Sequence, residues 1–169
     1  MFWMNSDDQG HAGEPLCQAV LLALDGVSDP EIPAVSIREL GMVHRVTAEE
    51  DVISVELLPT FVGCPALELI RGKVIERLTA QFHAKRVNVS FVMTQPWTSQ
   101  RITSVGIEKL RAFGIAPPVR REPRCLVPPP CPYCGASDTR IENLFGPTAC
   151  RSLFYCTSCQ QPFEGMKAV

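Results

Sequence analysis

"VISVELLPTFVGCPALELIRGKVIERLTAQF", residues 52–82, is the stretch on which the reading of the fold turns. In its first part Ile53, Val55 and Leu57 alternate with Ser54 and Glu56, the two-residue period of a strand with one buried face. In its last part Leu67, Ile70, Val74 and Leu78 recur at helical spacing. Pro65 suits the first helical position, where a missing amide costs nothing. The junction therefore reads as a strand handing over to a helix, with Cys64 between Gly63 and Pro65 at the helix mouth.

Outward from this unit the same two periods continue. "EPLCQAVLLAL" places Leu16, Val20 and Leu24 on one helical face, and Cys17 among aliphatics reads as packing. "SDPEIP" is a turn whose prolines stop that helix. "MVHRV" and "VNVSFVM" read as further strands, the second with Val87, Val89, Phe91 and Met93 on one side. "SVGIEKLRAFG" is a short helix closed by Gly114. The order α-β-β-α-β-α predicts an α+β fold, an α/β sandwich with a small mixed sheet, over residues 14–115. Residues 1–13 are polar and read as a disordered start.

After Gly114 the composition changes. "IAPPVRREPRCLVPPPCP" holds seven of the fifteen prolines, so residues 116–130 read as a stiff, extended linker. Residues 131–169 are too few to bury a stable core unaided. They contain two CxxC pairs, Cys131/Cys134 and Cys156/Cys159, separated by 21 residues. Each pair presents two thiolates on a tight turn, and two such turns converge on one tetrahedral ion. Zinc in a structural role is the default for a closed four-sulfur set, although sulfur ligands alone do not choose between zinc and iron. "TRIENLF" and "CRSLFY", joined through "GPT", read as the strands of the ribbon, with Cys150 packing on the second.

The bulk properties exclude several functions. At 46% hydrophobic and 20% charged, the 169-residue chain is globular. Its net charge of −2 gives no overall attraction to nucleic acid or to an anionic membrane. Within the ribbon Arg140, Arg151 and Lys167 balance Asp138, Glu142 and Glu164, and Arg120, Arg121 and Arg124 read as a solvated part of the linker. No nucleic-acid surface is expected. "AVLLAL" is too short to span a bilayer, and "MFWMNSDDQGHAGEP" lacks the marks of a secretory signal. A reducing cytoplasm is therefore expected, where eight cysteines point to metal or thiol chemistry rather than disulfides. No Ser/His/Asp set, phosphate loop or dinucleotide fingerprint occurs.

Cys64 has two readings. At the mouth of a helix, free amides and the positive dipole end favour a thiolate and lower the thiol pKa. Against this, cysteine is a small, commonly buried residue. Thr60 is close enough along the loop to hydrogen-bond the turn, and Asp29 and Glu31 cap a turn or add carboxylates near Cys64. Position alone leaves both readings open.

Three segments together resemble the small scaffold domain of iron–sulfur cluster assembly factors: "DPEIPAVSIRELGMV", "PTFVGCPALE" and "PWTSQRIT". That domain's Asp-Pro-Glu turn falls on Asp29, Pro30 and Glu31, and its Thr-x-x-x-Cys-Pro loop on Thr60, Cys64 and Pro65. "CPYCGASDTRIENLFGPTACRSLFYCTSCQQPFE" narrows the resemblance to the PaaD family, which accompanies the phenylacetyl-CoA epoxidase of bacterial phenylacetate breakdown. It spans roughly residues 15–165 and makes Cys150 a family position; the ending "PFEGMKAV" departs from it, lacking an aromatic tail. The resemblance implies an accessory or maturation factor without catalysis of its own. Cys64, with Thr60, Asp29 and Glu31, would be a cluster-transfer site taking a transient Fe–S cluster or iron. Structural Zn would sit in the four-cysteine cage, the partners would be the oxygenase and reductase components, and a homodimer would bring two Cys64 thiols together. A structural adaptor carrying no metal cargo is the alternative.

Overall fold

The computed structural model describes residues 14–49, 51–119 and 127–168. The expected disordered start, residues 1–13, lies outside them, as do Arg120, Arg121, Arg124 and Cys125 of the expected linker. The chain runs through helix α1 (Glu14–Leu24), strands β1 (Val43–Ala48) and β2 (Val52–Leu57), helix α2 (Leu67–Phe82), strand β3 (Arg86–Phe91), a 3-10 turn (Ser99–Arg101) and helix α3 (Ser104–Ala112). A second set follows: β4 (Ile115–Ala116), β5 (Thr139–Asn143), β6 (Arg151–Cys156) and β7 (Pro162–Met166). None of the described helices is long and apolar enough to cross a membrane.

The first sheet has the order β1-β2-β3 and is mixed. β1 and β2 form an antiparallel hairpin, with Val46 opposite Val55 and Ala48 opposite Ile53. β2 and β3 are parallel, with Val55 opposite Val89 and Leu57 opposite Phe91. Parallel neighbours need a long crossover, which α2 supplies. The residues named by periodicity meet as expected: Ile53, Val55 and Leu57 of β2 pack with Leu67, Ile70, Val74 and Leu78 of α2 and with Val20 and Leu24 of α1. Val87, Val89 and Phe91 lie against the same core, whereas Met93, beyond the end of β3, is exposed.

The segment between α1 and β1 has no regular structure, so its polar backbone must find partners elsewhere. Ser36 and Glu39 form a capping box: the Ser36 amide donates to Glu39 Oε2 at 2.9 Å and the Glu39 amide to Ser36 Oγ at 3.1 Å. Gly41 has φ of +68°, and a Cβ there would lie 2.3 Å from the Arg101 carbonyl oxygen. Trp97 Nε1 donates to the Leu40 carbonyl at 2.8 Å; Arg101 donates from Nε to the Gly41 carbonyl at 2.7 Å and from Nη2 to the Val43 carbonyl at 2.8 Å. "PWTSQRIT" is thus a clamp on "ELGMV", and two motifs of the resemblance are halves of one structural contact.

The second sheet has the order β4-β7-β6-β5. β5 and β6 are the expected ribbon hairpin, and β7 adds antiparallel to β6. β4, the first residues after Gly114, pairs parallel with β7, so the ribbon is tied back to the helical layer. Ile115 and Met166 join the main core, while Ala116, Cys131, Phe154, Cys156 and Phe163 form a separate small one.

Candidate functional site

Two sites emerge from the sulfur chemistry. In the ribbon, Cys131 and Cys134 lie on a turn in which the Gly135 amide bonds back to the Cys131 carbonyl at 2.9 Å, with Gly135 at φ +76°. Cys156 ends β6, and its amide donates to the Gln161 carbonyl at 3.0 Å across the second CxxC turn. The four sulfurs lie within 4.8 Å of one another. Cys131 and Cys159 sulfurs are 3.7 Å apart, and those of Cys134 and Cys156 3.6 Å. A tetrahedral ion with metal–sulfur bonds of about 2.3 Å sets sulfur–sulfur edges at about 3.8 Å. The cage therefore fits zinc in both donor chemistry and size.

The thiols of the cage do not titrate alike. The Cys159 amide leads in bringing the Cys156 thiol down to about 7, against the effect of burial. Burial, then the neighbouring sulfurs, push the Cys159 thiol up to about 12. Four thiolates this close repel one another, and a divalent cation relieves that repulsion when it binds with release of protons.

The second site is the loop between β2 and α2, at the carboxyl end of the parallel β2–β3 pair, the edge where open α/β sheets present ligand-binding loops. Cys64 is half-buried there. Its amide closes a turn on the Phe61 carbonyl at 3.2 Å, and its carbonyl accepts from the Leu67 amide at 3.3 Å. Helix α2 begins later than expected: Ala66 is the N-cap, and Pro65 lies in the preceding turn rather than at the first helical position. The lowering of thiol pKa that a helix mouth favours does not prevail at Cys64. Burial raises it above the ordinary 9.0, Glu31, Cys150 and Asp29 raise it further by their charge, and one hydrogen bond from the Ala66 amide opposes them. Desolvation and neighbouring negative groups outweigh the helix amides.

Asp29 and Glu31 are brought to Cys64 by a turn that Asp29 builds itself. Asp29 Oδ1 accepts from the Glu31 amide at 2.8 Å and the Ile32 amide at 3.0 Å. Thr60 lies on the same loop as Cys64, but among the described residues its hydroxyl has no hydrogen-bond partner. Cys150 is not on a strand: it is half-buried in the turn before Arg151, with its sulfur 3.3 Å from the Thr148 hydroxyl.

Sequence reasoning missed Arg151, weighing it only as charge. It is buried on β6, pairs through Nη1 with Glu164, and donates from Nη2 to the Glu31 carbonyl at 3.0 Å. The ribbon is therefore fastened to the acidic turn beside Cys64. No local signal marks this contact, because the partners are 120 residues apart.

Comparison with known proteins agrees with both halves. The family described as "PaaD zinc beta ribbon domain" matches residues 118–167, and "Iron-sulfur cluster assembly protein" matches residues 17–91. A protein of Escherichia coli (strain K12), provisionally named as a subunit of 1,2-phenylacetyl-CoA epoxidase, is 34% identical over 92% of this chain and 94% of its own length. The Fe-S protein maturation auxiliary factor YitW of Bacillus subtilis (strain 168) is 32% identical over 53% of this chain and 88% of its own. Among solved structures, a domain of unknown function from Bacillus anthracis has a TM-score of 0.53 at 27% identity, covering 56% of this chain and 90% of that one.

Proposed function

Because the chain belongs to the PaaD family, we propose that it is a maturation factor for a multicomponent phenylacetyl-CoA epoxidase, assisting assembly of an iron–sulfur or di-iron centre in one of its components. The observation carrying this reading is the setting of Cys64: a half-buried thiol on a loop at the sheet edge, beside the turn that Asp29 shapes. Its neighbours suit a protein client. Phe61 and Val62, just before it, are 42% and 70% exposed, and Leu144 and Phe145, on the hairpin turn that leads to Cys150, are 46% and 81% exposed. Apolar side chains held in solvent, on the Cys64 loop and on the ribbon hairpin, suit surfaces that another protein covers.

Cargo iron or cluster is the substrate of this chemistry. The Cys64 thiol loses its proton to solvent as sulfur takes the cargo's metal, and regains one when a client cysteine or carboxylate replaces it. A raised thiol pKa favours that return, because at neutral pH the freed sulfur takes back a proton readily. The ribbon cage, four-sulfur and closed, keeps its zinc throughout and orients the hairpin.

The test is Cys64→Ser in a host dependent on phenylacetate. Epoxidase purified from it should carry less iron, and growth on phenylacetate should slow, while zinc in the variant stays near one per chain. Normal iron and normal growth would overturn the proposal. A second reading, a structural adaptor without cargo, draws on the same exposed Leu144 and Phe145. It expects Phe145→Ser to release the chain from the epoxidase and Cys64→Ser to change nothing.

A further inference from the structure

Among the described residues four strands, β1, β3, β4 and β5, stand at sheet edges. An unpaired edge is a row of free N–H and C=O groups that another strand can join. Three of the four are blunted. β1 shifts register between Val43 and Arg45, and α1 approaches it closely enough for Cys17 Sγ to donate to the Val46 carbonyl at 3.8 Å. β5 shifts register between Ile141 and Asn143 and carries Arg140 and Glu142. β4 is only two residues long. β3 has none of these protections. Over its six residues, Arg86–Phe91, it pairs with β2 in unbroken register, it contains no proline, and its one charge, Arg86, stands at its start. The Arg86 amide donates to the Asp51 carbonyl at 3.1 Å and the Val92 amide to the Leu57 carbonyl at 2.8 Å, so the even-numbered residues turn their backbone groups toward β2. By alternation Val87, Val89 and Phe91 turn theirs outward, and among the described residues no strand lies beyond them.

We propose that the β3 edge joins the same edge of a second copy of this chain, in an antiparallel pair centred on Val89, giving one continuous sheet of order β1-β2-β3-β3-β2-β1. A two-fold axis relates identical strands in this antiparallel way. With Val89 at the centre, the outward-pointing residues pair among themselves. Val89 meets Val89 of the partner subunit, Val87 meets Phe91 of the partner subunit, and each pair exchanges both N–H···O bonds. These side chains lie on the face packed against the core, so apolar meets apolar. On the other face the exposed Asn88 meets Ser90 of the partner subunit, and Arg86 meets Val92 of the partner subunit, so no like charges are opposed. A slip of one residue would oppose outward groups with inward ones and turn the apolar face to solvent. The strand is thus complementary to itself, which favours a second copy over a client strand as its occupant. The pairing stands apart from the maturation reading, but it separates the Cys64 sites. The Cys64 loop follows the carboxyl end of β2, and antiparallel pairing sends the two carboxyl ends apart by roughly 20 Å over a six-residue strand. Each chain keeps its own Cys64 site, unlike the dimer implied by the resemblance, in which two Cys64 thiols come together.

Analytical ultracentrifugation of the full, zinc-loaded chain should show a monomer–dimer equilibrium that depends on concentration. Hydrogen exchange should show the Val87, Val89 and Phe91 amides slowing as the dimer forms, with no variant having to fold. Asn88→Lys with Ser90→Lys, at two exposed positions, sets like charges opposite each other twice and should weaken the dimer by more than roughly tenfold. Asn88→Glu with Ser90→Glu should do the same. Mixing the two double variants should restore a heterodimer, because position 88 of each chain then faces an opposite charge at position 90 of the other. A monomer at every concentration, or a dimer that neither double variant weakens, overturns the proposal. Protection of the same three amides only when an epoxidase component is added to a monomeric chain overturns it in favour of a client strand.

Discussion

Arg151 Nη2 donates to the backbone carbonyl of Glu31 at 3.0 Å, a bond between residues 120 apart that joins the metal-stapled ribbon to the turn beside Cys64. Arg151 is only 7% exposed, and Glu164 neutralises it from the adjacent strand. A buried guanidinium spanning two structural halves adds a side-chain tie to the backbone pairing of β4 with β7. The same bond places Cys150 by its neighbour's anchorage.

Arg151→Ala should therefore do more than remove a surface charge. It leaves Glu164 unpaired and the Glu31 carbonyl without its donor. Breaking a buried pair costs about 3–5 kcal/mol, and Glu164, 30% exposed, keeps some solvent, so about 3 kcal/mol is expected. Denaturant unfolding measures this. A change within about 0.5 kcal/mol of zero would mean that the contact contributes little to the fold.

Removal of metal should act locally. The ribbon core consists of Ala116, Cys131, Phe154, Cys156 and Phe163, two of which are sulfur ligands. Such a core cannot hold without its ion. A chelator should open the ribbon strands β5, β6 and β7 to protease while α1 through α3, with their own large core, remain resistant. Because the ligands must be thiolates, less chelator should suffice at pH 6 than at pH 8. Loss of both halves together would show that the seam couples them into one cooperative unit.

Both halves were legible in the sequence because their signals are local. The period of Ile53, Val55 and Leu57, the stripe Leu67, Ile70, Val74 and Leu78, and the spacing of four cysteines each need only a short window. What joins the halves was not legible, since Arg151–Glu31 and β4–β7 link residues far apart in the chain, as Trp97–Leu40 does within the first half. The Cys64 environment stayed open in the sequence for a related reason. Its helix-mouth position was readable, but its burial and the approach of Glu31 and Cys150 come from tertiary packing. Helix α2 starts at Leu67, so Pro65 lies in the turn before it, and the Ala66 amide is the one that reaches the sulfur.

Glu39 supplies a pH test of the capping box. Burial opposes its charge, but hydrogen bonds from Lys109 and the Ser36 amide, with the Lys109 charge, leave its pKa below the usual 4.5. A lowered folded-state pKa stabilises above the unfolded value, and that stability is lost as pH falls through the folded value. Gln at this position keeps a cap acceptor but loses the ion pair. Glu39→Gln should thus be less stable by about 0.5–1 kcal/mol at pH 7, modest because Lys109 is 45% exposed. Thermal melts should show the gap to wild type closing below about pH 4.5, and a gap independent of pH would place the loss in packing instead.

Alkylation of Cys64 reports most directly on the seam. The thiolate is the nucleophile, so the rate with iodoacetamide follows the ionised fraction. With its pKa raised above 9.0 by burial, then by Glu31, Cys150 and Asp29, Cys64 should react slowly at pH 7–8 and gain rate through pH 9 and beyond. Glu31→Gln removes one neighbouring negative charge while leaving the Glu31 carbonyl for Arg151. Its profile should shift to lower pH, with faster alkylation at pH 8. Cys150→Ser should shift it the same way, because the second ionisable sulfur is gone. The two variants together should shift it further than either alone, since each removes a separate source of repulsion. Mass spectrometry of the Cys64 peptide across pH measures all of this. A wild-type rate already at its plateau by pH 8 would mean that the helix amides govern this thiol, and that the carboxylates and Cys150 lie too far away to act.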